Sequence, residues 1–151
     1  LALTPDRLVR AVRAARKHAD VVVVFLHWGT DYTTCPNPLQ RSTAAALSAA
    51  GASVIVGAHA HKLQGAGWMG STYVDYGLGN FVWWRRQSRA ETWTGVLTLT
   101  LDGQHVAEAS WLPMVVGADG LPAVPKPAEQ AQLAAYWTGL RPCTGLSAHP
   151  S

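Results

Sequence analysis

Ala52-Ser53-Val54-Ile55-Val56-Gly57-Ala58-His59-Ala60-His61 is a short apolar run that empties onto a His-x-His pair. Upstream, Val21-Val22-Val23-Val24-Phe25-Leu26 exits in the same way onto His27-Trp28-Gly29. Both runs are short, apolar and rich in β-branched residues, so they read as strands. Neither alternates with polar residues, which predicts strands covered on both faces and parallel to each other. Between them Pro38-Leu39-Gln40 opens a helix that continues to Ala50 and is stopped by Gly51. The result is a strand–helix–strand crossover, the unit of an α/β fold with helices on one face of the sheet. Such sheets build their sites beyond the C-terminal ends of the strands, where His27, His59 and His61 stand. One histidine at a strand end is commonly a core residue. Three favour a metal centre. In a turning His-x-His the rings need not share a direction, so they can serve two ions, or one ion from two sides.

The flanking sequence extends this pattern. Thr4 is the expected N-cap and Pro5 the first residue of a helix in which Leu8, Val9, Val12 and Ala15 recur at helical spacing, ending near His18. Residues 31–37 form a polar loop. After His61, Gly65, Gly67 and Gly70 mark a turn-rich passage. Residues 71–76, 80–84, 92–101 and 104–114 then read as shorter strands, with a hairpin turn at Asp102-Gly103, predicting a mainly antiparallel extension of the same sheet. From Gly117 the chain is Pro-rich, and a short helix is expected over 129–138. The expected division is therefore a main body over 1–116 and a tail over 117–151.

A chain of 151 residues with 48% hydrophobic content supports one core and one compact unit. No apolar stretch approaches the ~20 residues of a membrane span. The chain begins at Leu1 with no signal peptide, so it is expected to be a piece of something longer. Its formal net charge of +3 owes much to Arg7, Arg10, Arg13, Arg16 and Lys17. Arginines spaced by three share one helix face, and no aromatic residue is interleaved with them. A solvated stripe is expected, and not a nucleic-acid contact.

Three stretches taken together, Phe25-Leu26-His27-Trp28-Gly29-Thr30-Asp31-Tyr32, then residues 51–64, then Tyr76-Gly77-Leu78-Gly79-Asn80-Phe81-Val82, resemble the bacterial poly-gamma-glutamate capsule-synthesis protein family of the CapA type. The resemblance runs over residues 19–113. It implies a branch of the calcineurin-like metallophosphoesterase superfamily, and for this chain the C-terminal half of an αββα sandwich, parallel strands followed by antiparallel ones. It further implies that His27 and His59 bind one metal and His61 the other, as the catalytic and metal-binding residues of a centre of two divalent cations, Mn, Fe or Zn. The remaining ligands, an aspartate and histidine, a bridging aspartate and an Asn-His pair, are expected from the half of the domain that precedes Leu1, which makes that half a partner of this one. Nothing in residues 1–20 replaces them.

Two cations about 3.5–4 Å apart clamp a phosphoryl or carboxyl oxygen and lower the pKa of a bound water. The expected function is therefore a metal-dependent hydrolase linked to cell-envelope or capsular poly-gamma-glutamate synthesis, extracellular or envelope-associated, acting on a phosphoester or an anionic polymer. The alternative is a non-catalytic envelope protein that binds such a polymer during its synthesis or export. Each imidazole also needs an acceptor behind it, which Asp31 or Asp75 would supply. Asn80, Trp28, Arg85 and Arg86 are the candidate substrate contacts, the arginines because they follow Trp83-Trp84 and suit an anion. Asn80 has an alternative as a turn residue tying loop backbone, and Trp28 as core. His18, His105 and His149 have no assigned role. Cys35 and Cys143 are either two free thiols or a disulfide that would pin the tail across the mouth of the site, the paired state being favoured by an envelope compartment.

Overall fold

The computed structural model describes residues 4–85 and 87–151. Helix α1 (Pro5–Ala15) starts behind Thr4, with Pro5 in its first turn, and buries Val12. Helix α2 (Pro38–Ala49) is more firmly set. Asn37 accepts the backbone N–H of Gln40, and the Gln40 side chain accepts the N–H of Asn37, closing a capping box. Strands β1 (Val23–Trp28), β2 (Val54–His59), β3 (Ala66–Met69) and β4 (Thr72–Asp75) form one sheet in the order β1-β2-β4-β3. The pairs β1/β2 and β2/β4 are parallel, with Trp28 opposite His59, and β3 runs antiparallel to β4.

A second sheet is made by β5 (Trp93–Asp102), β6 (His105–Val116) and the short β7 (Pro122–Ala123), all antiparallel. The β5–β6 hairpin turns at Gly103-Gln104, one residue beyond the expected Asp102-Gly103, because Asp102 still pairs with His105. These strands do not extend the first sheet. They stack on it, because Leu97, Leu99, Val106 and Ala109 pack against Val54, Val56, Trp68 and Tyr73. The opposite face of the first sheet carries α1 and α2 over a core of Val12, Val22, Leu26, Leu47, Ile55, Val74 and Tyr76. β2 thus lies between two apolar layers, which explains its unbroken apolar run. Full burial of Ile55 contributes about 2–3 kcal/mol to this packing.

The β1 run has the same composition and a different fate. β1 is an edge strand beyond the reach of the second sheet, and Val23 and Phe25 are 59% and 62% exposed. The expectation that it is covered on both faces therefore fails on one of them. The glycine-rich passage holds a strand, β3, which pairs with β4 on one side and is met on its other edge by Ser147 through two 2.9 Å backbone bonds with Trp68. Residues 80–84 are bends and not a strand.

From residue 117 onward the chain is built onto the body. Helix α3 (Pro127–Gly139) lays Trp137 on Trp111 at 4.9 Å. Cys143 is joined to Cys35, their Cα atoms 5.7 Å apart. Among the described residues no helix is long and apolar enough to cross a membrane.

Candidate metal centre

The site starts at a close approach that only glycine permits. A Cβ on Gly57 would lie 2.1 Å from the Tyr76 carbonyl oxygen and 2.2 Å from Trp28 Nε1. With no Cβ there, the Trp28 indole reaches across β2 and donates to that carbonyl at 3.0 Å, its ring stacked on Tyr76 at 5.8 Å. Trp28 is thereby packed against the helix-side core, its one polar group satisfied. Strand alternation turns His27 to the other face, which it shares with Val23 and Phe25.

β2 ends at His59, where the backbone swings to φ +103°, and His61 follows at φ +54°. His59 Nδ1 stands 3.0 Å from His27 Nε2, inside the ~4 Å that two metal–nitrogen bonds span. On its other side, His59 Nε2 is 3.2 Å from Asp31 Oδ1. One ligand atom each from Asp31, His59 and His61 lie within 4.8 Å of one another. Three imidazoles and a carboxylate are donors that fit a divalent cation such as Zn, Fe or Mn.

His61 is held by Asn80, whose Oδ1 is 2.8 Å from His61 Nδ1. The Asn80 amide nitrogen donates to the carbonyls of His61 and Glu91 at 3.2 and 3.0 Å, so its oxygen must face the ring. That oxygen only accepts, which puts the hydrogen on Nδ1 and leaves the lone pair of His61 Nε2 free. Both side-chain polar atoms of Asn80 are engaged within the protein, and the residue is buried. Tyr32 and Trp83 flank the His61 ring at 5.9 and 4.7 Å. Trp84 and Arg85 are exposed in the bends that follow, and Arg86 lies outside the described residues.

The loop that carries Asp31 is fastened from several directions. The Tyr32 N–H donates to the Ala60 carbonyl at 2.7 Å, binding this loop directly to the His-x-His turn. Gln64 donates to the carbonyls of Thr33 and Cys35 at 3.2 and 3.4 Å and accepts from the Gln40 amide at 2.9 Å. The Cys35–Cys143 disulfide holds its far end. Of the two aspartates considered as acceptors, Asp31 meets a histidine. Asp75 is fully buried, takes the Gly77 N–H at 3.0 Å, and leaves Oδ2 without a partner, and this burial pushes its carboxyl up to about 7.

Sequence reasoning did not single out Gln64 or Tyr32. Gln64 had one available signal, a long polar side chain beside a buried Leu63 and between glycine-flanked turns. Tyr32 closes the first stretch that carries the family resemblance, but its left-handed backbone, bonded to Ala60, has no local sequence signature.

Comparison with known proteins follows the same residues. Residues 2–84, more than half of the chain, match the family described as bacterial capsule synthesis protein PGA_cap. The chain is 46% identical over 78 residues to the PGA biosynthesis protein CapA of Bacillus subtilis (strain 168), covering 52% of this chain and 20% of that protein. It is 41% identical over 86 residues to the capsule biosynthesis protein CapA of Bacillus anthracis, covering 54% and 21%. The chain thus spans about a fifth of the length of these relatives. His27, Asp31, His59, His61 and Asn80 all fall inside the matched residues. This chain belongs to the PGA_cap family of bacterial capsule synthesis proteins.

Proposed function

We propose that this chain is the C-terminal part of a metal-dependent hydrolase of the metallophosphoesterase type, associated with the cell envelope and linked to capsular poly-gamma-glutamate synthesis. The observation that carries the reading is the convergence of His27 Nε2 and His59 Nδ1 at 3.0 Å beside His61, at the C-terminal ends of two parallel strands. His27, His59 and His61 would hold divalent cations, Mn, Fe or Zn. A cation bound there polarises a phosphoryl or carboxyl oxygen and lowers the pKa of a water.

The chain's own residues supply orientation. Asn80 fixes the tautomer of His61, Gln64 and the disulfide hold the Asp31 loop, and Tyr32 and Trp83 wall the His61 ring. The remaining ligands come, in this reading, from the domain half that precedes residue 1 and covers the open face of β1. The substrate is a phosphoester or an anionic capsule-like polymer.

The test uses the complete protein loaded with Mn or Zn. Turnover of an aryl phosphate or diester, largely removed by His59→Ala with the circular dichroism unchanged, is expected. Turnover that survives His59→Ala would reject the reading. One feature favours a second one, a non-catalytic binder of an anionic polymer: Trp84 is 83% exposed and Arg85 stands beside it in solvent. Metal uptake without turnover, together with polyglutamate binding that His59→Ala leaves intact, would select the binder.

A further inference from the structure

We propose that the exposed face of α1 is a docking track for an anionic polymer, which it leads toward the cavity beside His27. The inference rests on the part of the reading above in which an anionic capsule-like polymer is the substrate. It adds the surface that receives the polymer before the polymer reaches the histidines.

The charge of the chain is unevenly placed. Its 12 Lys and Arg against 9 Asp and Glu give a formal net charge of +3. Residues 4–17 hold five of those cations, Arg7, Arg10, Arg13, Arg16 and Lys17, and one of the acids, Asp6. Seven cations and eight acids are left for the rest of the chain, so the whole positive excess sits on one helix and the turn that ends it. A polyanion is thereby drawn to one place on a nearly neutral body. Leu8, Val9 and Val12 turn inward on α1, which leaves Arg7, Arg10 and Arg13 facing solvent, with Lys17 exposed in the turn beyond them.

These cations are not neutralised by their own chain. Among the described residues none of Arg7, Arg10, Arg13 and Lys17 makes an ion pair or a side-chain hydrogen bond, whereas the Arg16 guanidinium donates to the carbonyls of Ala19 and Asp20 and to Gln104. From Arg7 to Arg13 the helix rises about 9 Å, a row that meets successive charges of one extended chain and exceeds what a single small anion needs. The face carries no aromatic or large apolar side chain. Ala11 and Ala14 stand between the cations, so it offers nothing to stack on bases or to insert into a bilayer. A flexible polycarboxylate is the partner that charge alone suffices to hold. The helix also begins beside the histidines: Pro5 and Leu8, in its first turns, line a cavity of about 540 Å³ together with Phe25, Leu39 and His27. A polymer lying along Arg13, Arg10 and Arg7 is therefore directed to the mouth of that cavity.

The experiment titrates fluorescently labelled poly-γ-glutamate by anisotropy into the complete protein and into the 151-residue chain, with circular dichroism on every variant. One triple variant is Arg7→Gln/Arg10→Gln/Arg13→Gln, in which glutamine keeps nearly the helix propensity of arginine. The other, Arg85→Gln/Arg89→Gln/Lys126→Gln, removes the same charge elsewhere. An exposed ion pair is worth up to about fivefold in affinity, so the α1 triple is expected to weaken binding at least ~10-fold at low salt and the other triple less than ~3-fold. Raising the salt to about 0.5 M should erase the difference. Equal losses in the two triples would make binding a matter of net charge and overturn the inference. Loss confined to the second triple would put the polymer at Arg85, and a parent that binds no polymer would leave the track without a partner, so both would overturn it. So would a loss seen in the 151-residue chain and absent from the complete protein, since α1 would then be covered. Tighter binding of the parent to phosphatidylglycerol vesicles or to single-stranded DNA than to the polymer would assign the face to another polyanion and overturn the inference as well. Turnover of a small aryl phosphate, which has no chain to lie on α1, decides the hydrolase reading separately.

Discussion

His27 leaves β1 in ordinary strand geometry, on a face it shares with Val23 and Phe25, whereas Asp31, His59 and His61 stand on turns whose backbone is left-handed at Tyr32, His59 and His61. The strand arm is positioned by what lies behind it: Trp28 packs half-buried across Gly57, and alternation does the rest. The turn arm has no such support. Its conformations cost free energy, and they persist because Gln64, Asn80, the Tyr32–Ala60 bond and the Cys35–Cys143 disulfide oppose their relaxation. One arm is therefore set by packing and the other by tethers, and the two should fail separately.

The strongest way to break that contrast is to cut the longest tether. The disulfide closes a sequence separation of 108 residues, for which the chain-entropy argument gives about 5 kcal/mol. Reduction, or the Cys35→Ser/Cys143→Ser double variant, is expected to lower stability in urea by that order. It should also speed amide exchange at residues 31–35 before it does so in β1. Equal acceleration in both places would show that the arms are one cooperative unit.

The converse experiment attacks the strand arm. Gly57→Ala places a methyl against the Tyr76 backbone, which cannot yield as a flexible side chain would, and dislodges the Trp28 indole. Overpacking together with a lost, partly buried hydrogen bond predicts about 3 kcal/mol. Denaturation should report that loss, and exchange should rise in β1 and β2 while the disulfide-held loop stays protected. A variant as stable as the parent would mean that Trp28 does not set the strand arm.

Asp75 belongs to neither arm, which makes it a control. Its carboxyl, normally near 3.8, is pushed up to about 7 by burial, with the Gly77 N–H pulling the other way. The folded chain therefore keeps a proton over a pH range in which the unfolded chain has lost it. Its contribution to stability is full below about pH 4, falls as pH rises toward 7, and is level above. The decline should amount to roughly 2–3 kcal/mol, allowing for relaxation around the charge. Asp75→Asn should flatten it without changing exchange in either arm. A slope that persists in Asp75→Asn would assign the pH dependence to another group.

The same contrast explains what the sequence reveals. The strand arm is legible because a strand is a local pattern: apolar run, histidine, glycine, with Pro38 and Gly51 marking the helix between. β2, α2 and the β5–β6 hairpin follow from periodicity and turn chemistry, within a few residues at their ends. β3 is not legible, since Ala66-Gly67-Trp68-Met69 between glycines has no strand signature and is extended only because Thr72–Asp75 and Ser147 pair with it. The bare face of β1 is equally hidden: apolar residues look the same whether or not a second sheet reaches them. At the site, the histidines announce themselves by type and place. Which nitrogen of His59 faces which partner depends on φ at His59 and on a loop fastened from a distance by Gln64 and Cys143, and no spacing encodes that.

The smallest expected effect is at Asn80, and it sharpens the contrast most finely. Asn80→Ala removes the acceptor on His61 Nδ1 and strands two carbonyls, those of His61 and Glu91, for about 1–2 kcal/mol. Asn80→Asp keeps the acceptor and loses only the donors. If the amide acts on the site by fixing the ring, the nitrogen chemical shifts of His61 should report a pure Nδ1–H tautomer in the parent and in Asn80→Asp, and a mixture in Asn80→Ala, with His27 unchanged in all three. A His61 tautomer indifferent to Asn80→Ala would mean that the ring is set by Tyr32 and Trp83 packing alone, which would move part of the turn arm into the class of packed elements to which His27 belongs.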